Sequence, residues 1–120
     1  MTENKRENWY FLTKIKRSSS NEILANAIAP DKSPWFSGHF PGEPILPGIA
    51  QLGMVFDAIK QASGKKIKIS GVKRVKFKRI IKPGDKIKIL ARDKNDDNRL
   101  YTFQVMVDSQ IACNGMMTVE

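Results

Sequence analysis

The sequence predicts an α+β fold in which an antiparallel sheet of five or six strands wraps around one long central helix. Two observations lead to this prediction. One segment, from Gly48 to about Ser63, carries apolar residues at the spacing of a helix, whereas most of the remaining chain alternates apolar and polar residues, as strands do. A chain of 120 residues can bury one hydrophobic core and is too short for two domains. We therefore expect a single domain over residues 1–120.

Two strands are expected before the helix. Residues 9–16 mix aromatic and aliphatic with polar side chains, and residues 22–29 follow a polar turn as the returning strand. Pro30 and Pro34 then end the ladder, because proline cannot donate a backbone hydrogen bond. The chain next enters a segment rich in proline and glycine that leads to the helix.

The helix is apolar around most of its circumference. Its main stripe, which we expect to lie in the core, consists of Ile49, Leu52, Phe56 and Ile59. Further apolar side chains lie elsewhere around its axis, and a helix of this kind is usually buried on most sides. Gly64 is the expected stop, because glycine readily adopts the left-handed conformation that ends many helices.

Strands account for the chain after the helix. In residues 72–82 the alternation places Val75, Phe77 and Ile81 on one face and leaves a row of basic side chains on the other. An open sheet of this kind has exposed edges, and the pairing of two copies across a two-fold axis would cover one of them. We therefore expect a homodimer, with a higher oligomer left open. The expected strands are residues 66–70, 72–82, 86–91, 100–107 and 111–119, with turns at 83–85, 93–98 and 108–109.

Charge and cysteine content narrow the class of protein. The formal net charge is +9, which favours an acidic partner such as nucleic acid, an anionic membrane or an acidic protein. Cys113 is the only cysteine, so the chain can form no internal disulfide and no cysteine-based metal site. No segment is long and apolar enough to span a membrane, and the N-terminus is polar. We expect a cytoplasmic protein that needs neither a metal nor a cofactor.

The segment Trp35-Phe-Ser-Gly-His-Phe-Pro-Gly-Glu-Pro-Ile-Leu-Pro-Gly48 is the candidate functional site. It holds the only histidine, His39, among prolines and glycines that fix a backbone path. It ends in Pro47-Gly48 at the expected helix start, where backbone amides have no intrahelical acceptor. A titratable imidazole beside such amides suits a site at which a carbonyl oxygen gains negative charge. The alternative is a loop histidine that only bonds the backbone.

Residues 38–48, Gly-His-Phe-Pro-Gly-Glu-Pro-Ile-Leu-Pro-Gly, closely resemble the signature of the 3-hydroxyacyl-acyl-carrier-protein dehydratases of fatty acid synthesis, which have the hotdog fold. Residues 75–85 are similar to the same family, and with the strand order the likeness covers essentially the whole chain. The resemblance implies that His39 is the catalytic base and that amides near Gly48 hold the thioester carbonyl. It places Phe40 among the substrate-binding residues, and it implies dimers with two active sites at the subunit interface.

One position departs from the family pattern. The family has a glutamate or aspartate on the central helix fourteen residues after the histidine, and here that position is Gly53. Asp57, one helical turn later, and Glu43, in the loop, are the candidate replacements for this acid. For Asp57 we favour a polar group on the helix face that hydrogen-bonds within the dimer or protrudes into water, and for Glu43 a solvated loop side chain. Gly53 would also leave space that widens the acyl pocket or admits a water.

A row of basic residues is the candidate docking surface for an acyl carrier protein. The resemblance implies this, because carrier proteins are acidic and dock beside the tunnel mouth through basic residues. A solvated sheet face is the alternative. Nucleic-acid binding is less favoured, because the basic face lacks the interleaved aromatic residues of a stacking platform. The row consists of Arg74, Lys76, Lys78, Arg79 and Lys82.

We therefore expect a dehydratase-like protein that removes water from 3-hydroxyacyl thioesters in fatty acid or related acyl-chain synthesis, with His39 as base. Three alternatives stay open. The chain is a catalytically silent binder of acyl chains or carrier protein, or a subunit whose acid comes from a different chain. It is a hotdog acyl thioesterase if Asp57 activates water. It is a nucleic-acid binder if the charge serves that purpose.

Overall fold

A computed structural model describes residues 10–18, 21–30, 46–64, 66–94 and 99–120 of the chain. Six strands and one helix follow one another within these residues. The first two strands precede the helix, and the other four follow it. The elements are β1 (Phe11–Arg17), β2 (Glu22–Ile28), α1 (Gly48–Ser63), β3 (Ile69–Phe77), β4 (Ile87–Asp93), β5 (Leu100–Val107) and β6 (Gln110–Val119).

The six strands form one sheet in the order β1-β2-β4-β5-β6-β3, and every neighbouring pair is antiparallel. Strands β1 and β3 are therefore the two edges, and α1 connects β2 to the strand at the opposite edge. The predicted fold class, an antiparallel sheet of five or six strands with one central helix, is confirmed. The predicted strand at residues 100–107 has the observed bounds of β5.

The helix has the predicted bounds. It begins at Gly48 and ends at Ser63, and Gly64 has φ 67° and donates its amide to the carbonyl of Lys60 at 3.1 Å. Glycine is favoured here because the left-handed region is unfavourable for residues with a Cβ.

The prediction of which helix face is buried was wrong in part. The side chains that face the sheet are Ala50, Gln51, Met54, Val55, Ala58 and Ile59. Of the predicted stripe only Ile59 is fully buried, whereas Ile49 is 71% exposed. The predicted stripe and the buried stripe both follow a helical repeat. The buried stripe contains Ala50 and Ala58, whose small side chains allow the helix to approach the sheet closely.

The core lies between α1 and the sheet. The alternation of each central strand places one set of side chains beneath the helix, and burial of each large apolar side chain contributes roughly 1.5–3 kcal/mol. The largest fully buried side chains on the sheet include Ile23, Ile89, Tyr101, Phe103 and Met117.

Strand β3 differs from the prediction in length and in regularity. Residues 66–70 and 72–82 do not form two strands, because the single strand that pairs with β6 ends at Phe77. Lys73 pairs with Met116 and Lys76 pairs with Asn114, so β3 contains one residue more than β6 across this interval, which is a β-bulge. Arg74, inside the bulge, has φ 52°. The predicted regular alternation through residues 72–82 is therefore broken at residues 74–75.

Within the described residues there is neither a candidate membrane span nor a metal-binding cluster. No helix in this part of the chain is both long enough and apolar enough to cross a membrane. No group of three or more histidine, cysteine, aspartate or glutamate side chains within the described ranges is arranged to hold a metal ion.

Candidate active site at the start of the central helix

The start of α1 presents backbone amides. Pro47 has φ −61° and ψ 151°, an extended conformation, and its carbonyl accepts hydrogen bonds from the amides of Ala50 at 3.1 Å and Gln51 at 3.3 Å. The amides of Gly48 and Ile49 precede these and have no acceptor within the helix. The helix dipole adds partial positive charge at the same place. This end of the helix is therefore suited to hold an oxygen that carries or develops negative charge.

The Phe77 ring covers Gly48. An ideal Cβ on residue 48 would lie 2.6 Å from Cζ and 2.8 Å from Cε1 of Phe77, closer than van der Waals contact permits. Phe77 is the last residue of β3, and its side chain is 53% exposed. Glycine at position 48 therefore lets an aromatic side chain from the edge strand approach the backbone at the helix start. This contact joins the two segments that carried the family resemblance.

Hydrogen bonds fix the residue before the helix. The amide of Leu46 donates to the carbonyl of Ile81 at 2.7 Å, which ties the chain before α1 to the segment after β3. The side-chain Nε2 of Gln51 lies 3.5 Å from the carbonyl of Leu46, a long hydrogen bond. Ile81 was predicted in a strand and is instead buried in the irregular segment that follows Phe77.

Gln51 is a site residue that the sequence analysis did not identify. Its side chain is only 3% exposed, on the buried face of the first helical turn, and its Oε1 accepts no hydrogen bond from any described residue. A buried amide oxygen without a partner costs free energy, roughly 1–3 kcal/mol. The signal in the sequence was a polar residue at a position that belongs to the buried helical repeat.

Gly53 lies on the exposed side of α1. Apart from its chain neighbours and the adjacent helix backbone, no atom of the described residues lies within 4 Å of an ideal Cβ at position 53, so a side chain there would enter space that these residues leave open. Ile49, one turn earlier on the same side, is also exposed. The described residues therefore leave the space beside Gly53 open.

Asp57 is held by contacts within the chain. The hydroxyl of Tyr10 donates to Oδ2 at 2.8 Å, and Nε2 of Gln61 donates to Oδ1 at 3.1 Å. Both carboxylate oxygens thus have a donor, one from the residue before β1 and one from the next helical turn. This arrangement is typical of a residue that fixes the helix against the sheet edge. The other predicted site residues in this region, His39, Phe40 and Glu43, lie outside the described residues.

The predicted docking residues separate into two groups. Arg74, Lys76 and Lys78 border a groove on the sheet face that points away from α1. Arg79 and Lys82 lie in the segment after β3, where the Arg79 amide donates to Ala112 O at 3.2 Å and the Lys82 amide donates to the Asp85 carboxylate at 2.8 Å. All five side chains are exposed.

Two groups in the sheet have shifted pKa values. Burial raises the pKa of the Cys113 thiol from 9.0 to about 11. Burial, with a smaller contribution from the nearby Asp93 charge, raises the pKa of the Tyr101 hydroxyl above its usual value. Neither group lies on α1, and both favour their neutral forms because the core disfavours charge.

Curated proteins with similar sequences are dehydratases. The 3-hydroxyacyl-[acyl-carrier-protein] dehydratase FabZ of Syntrophobacter fumaroxidans is 37% identical over 91 residues, which cover 66% of this chain and 62% of that relative. The enzyme of the same name from Streptococcus equi subsp. zooepidemicus is 31% identical over 114 residues, which cover 88% of this chain and 81% of the relative.

A solved structure has the same fold. It is described as the dehydratase heterocomplex ApeI:P from Xenorhabdus doucetiae, and it superposes with a TM-score of 0.79 at 24% identity over 91% of this chain and 96% of the other. The family description "ApeI dehydratase" matches residues 15–116, which span the helix, strands β2 to β5 and most of β6. The chain therefore belongs to the ApeI-like dehydratase family, a group of hotdog-fold proteins.

Proposed function

We propose that this protein removes water from 3-hydroxyacyl thioesters carried on an acyl carrier protein, with His39 as the base. The observation that carries the proposal is the pair of backbone amides without an intrahelical acceptor at the start of α1, in a chain whose family and curated relatives are dehydratases. The thioester carbonyl oxygen would accept hydrogen bonds from the amides of Gly48 and Ile49. Phe40 would contact the substrate, and the open space at Gly53 would accommodate part of it.

The chemistry needs one base and one acid. A neutral imidazole removes a proton from C2 of the acyl chain, and negative charge moves onto the thioester oxygen at the helix start. The electron pair then forms the C2–C3 double bond as the bond from C3 to its hydroxyl breaks. The departing hydroxyl takes a proton and leaves as water. His39 supplies the first step, and a second group is required for the last.

Gly53 cannot supply that proton, and this fact separates two versions of the proposal. In a homodimer both copies carry glycine at position 53, so the acid would be Asp57, Glu43 or a bound water. Because Asp57 already bonds Tyr10 and Gln61, this version requires those contacts to rearrange. In the second version a different chain brings a carboxylate into the open space beside Gly53. A fold neighbour described as a dehydratase heterocomplex favours the second version.

A partner chain fits the edge of β3. This strand pairs with β6 on one side, and no described strand pairs with its other side. Several apolar side chains near that edge and near the helix start are largely exposed, which is typical of a surface that another chain covers. We propose that a second hotdog chain, identical or related, pairs here and completes the site. The exposed apolar residues are Ile49, Ile69, Val72, Phe77 and Ile80.

The carrier protein would dock through the basic row. Its acidic surface would meet Arg79 and Lys82 in the segment beside Leu46, with Arg74, Lys76 and Lys78 extending the positive potential along the edge strand. Such charges raise association rates more than they raise final affinity. The docking contribution should therefore weaken strongly as salt concentration rises.

A two-product assay tests the proposal. The protein receives 3-hydroxyacyl and saturated acyl thioesters, and enoyl product and free thiol are followed separately. Enoyl product that is lost in His39→Ala supports dehydration. Thiol release without enoyl product would instead establish a thioesterase. If neither product forms until a second hotdog chain from the same cells is added, the acid comes from that chain and the two-chain version holds.

A further inference from the structure

The sheet face that points away from α1 contains a groove of about 720 Å³. Its walls and floor come from β3, β4, β5 and β6. Residues such as Leu90, Thr102 and Met116 line it, and they alternate along their strands with residues that are buried beneath α1. This groove, which we call the outer groove, is thus separated from the helix start by the sheet itself. Small-molecule sites typically have volumes of roughly 300–1,000 Å³.

Four cations border the outer groove. Arg74, Lys76 and Lys78 approach from the edge strand and the residue after it, and Arg92 approaches from β4. The bulge in β3 contributes to this arrangement. It places Lys76 on the outer sheet face, the same face as Lys73 three residues earlier. Regular alternation would have put these two lysines on opposite faces. No aspartate or glutamate is among the residues that line the groove within the described ranges.

The interior of the outer groove is less polar than its rim. Leu90 and Met116 are half-buried, and they offer apolar surface beside the cations. Thr102, Gln104 and Asn114 add a hydroxyl and two amides that can donate or accept hydrogen bonds. A ligand that matches this lining carries negative charge at one end and an apolar or planar group at the other.

We propose that the outer groove binds a free organic phosphate of nucleotide size, with its phosphates on the Arg and Lys side chains and its planar or apolar group on Leu90 and Met116. Guanidinium and ammonium groups recognise phosphate oxygens through charge-assisted hydrogen bonds. A second copy of this chain does not fit the groove, because like charges would face each other. A nucleic-acid strand, which needs a platform on which successive bases stack, is disfavoured because no exposed aromatic side chain of the described residues lines the groove.

One contact within the chain opposes phosphate binding. A variant that removes this contact should therefore bind phosphate more tightly. The guanidinium of Arg92 forms an ion pair with the carboxylate of Glu22, which lies directly opposite it in the register of β2 and β4. Glu22 therefore competes with any anion for Arg92. Glu22→Gln removes this competitor and should raise the affinity for phosphate. Variants that remove a positive charge from the groove should lower that affinity.

Isothermal titration calorimetry on the full chain tests the proposal at about 150 mM salt, where weak surface attraction is screened. The probes are adenosine 5′-diphosphate, inorganic pyrophosphate and uncharged adenosine. The diphosphate nucleotide should bind most tightly, pyrophosphate more weakly, and adenosine weakest of the three. The double variant Lys76→Gln/Arg92→Gln should weaken nucleotide binding by about tenfold or more, and Glu22→Gln should tighten it by roughly two- to fivefold.

Lys88→Gln is the matched control. Lys88 is an exposed lysine on β4 that pairs with Met106 on the same sheet face but does not border the outer groove. Its removal should change nucleotide affinity by less than about twofold. The proposal is overturned if the nucleotide does not bind, or if the control weakens nucleotide binding as much as the double variant does. Because no thioester is present, these outcomes are independent of the dehydration chemistry.

Discussion

The Phe77 side chain lies against Gly48, and an ideal Cβ on residue 48 would lie 2.6 Å from its ring. Phe77 ends the edge strand, and Gly48 begins the helix whose amides face the candidate site. The contact therefore brings the end of the edge strand against the helix start. Glycine at this position gives the ring its room, whereas φ and ψ in the first helical turn are accessible to any residue.

The first prediction concerns this contact. Gly48→Ala should destabilise the fold by about 1–3 kcal/mol, because the added methyl overlaps the Phe77 ring and the ring or the helix must move. Phe77→Leu in the same chain should recover most of that loss, since the side chain is half-exposed and can be shortened cheaply. Urea unfolding of the two single variants and the double variant measures the coupling. Additive effects would show that the contact does not constrain residue 48.

The second prediction concerns Gly53. Gly53→Glu should raise the dehydration rate of the isolated chain, because it places a carboxyl group in open space on the exposed side of the helix. It should also stabilise the helix by about 0.5–1 kcal/mol, since glycine is a poor interior helix residue. Gly53→Gln is the control, because it gives the same helical benefit without an acid. If both variants change the rate equally, position 53 does not face the reacting atoms.

The third prediction concerns the Tyr10 and Asp57 hydrogen bond. If Asp57 only fixes the helix, Tyr10→Phe and Asp57→Asn should each cost about 1 kcal/mol of unfolding free energy and should have similar, small effects on turnover. If Asp57 is the acid, Asp57→Asn should lower kcat by about 10²–10⁴-fold while Tyr10→Phe does not. Unfolding curves and steady-state kinetics on both variants distinguish the two roles. We expect the first result, because both oxygens of Asp57 already accept hydrogen bonds.

The fourth prediction concerns pH. The folded state favours the protonated Cys113 thiol, because burial raises its pKa from 9.0 to about 11. The stabilisation is complete below pH 9.0 and is lost as the pH rises through about 11. The loss amounts to about 2–3 kcal/mol. Cys113→Ala should remove this part of the pH dependence, and Tyr101, whose pKa is also raised, contributes equally to both proteins and cancels in the comparison.

Urea unfolding at pH values between 9 and 11 provides the measurement for Cys113, since this interval separates the ordinary and the folded pKa of the thiol. The difference in stability between the wild type and Cys113→Ala should narrow with rising pH if the thiol stays protonated in the fold. A difference that stays constant across this range would contradict the burial of the thiol. Because Cys113 is the only cysteine, a thiol reagent gives an independent check of its accessibility.

Local sequence patterns predicted the helix ends and the central strand β5 correctly, because residues close in sequence determine these features. The helix bounds followed from Pro47 before its first residue and Gly64 after its last. Strand β5 followed from clean alternation, because a central strand between two partners presents one face to the core. The family motif predicted the dehydratase family without any geometry.

The remaining errors have physical causes that a single sequence does not display. The helix has apolar residues on more than one face, so periodicity alone did not decide which face meets the sheet. The bulge in β3 depends on its pairing with β6, which is distant in sequence. The Tyr10 contact to Asp57 joins residues 47 positions apart and has no local signal. The predicted role of His39 stays a prediction, since this residue lies outside the described ranges.

Proton exchange at C2 of the substrate tests the central claim most directly, because it needs the base and the helix-start amides but not the missing acid. The protein is incubated in D₂O with a 3-hydroxyacyl thioester, and deuterium in the recovered substrate is measured by mass spectrometry. We expect exchange by the wild type, even where enoyl product is scarce, and its loss in His39→Ala. No exchange by the folded wild type, or equal exchange by both proteins, would contradict the central claim.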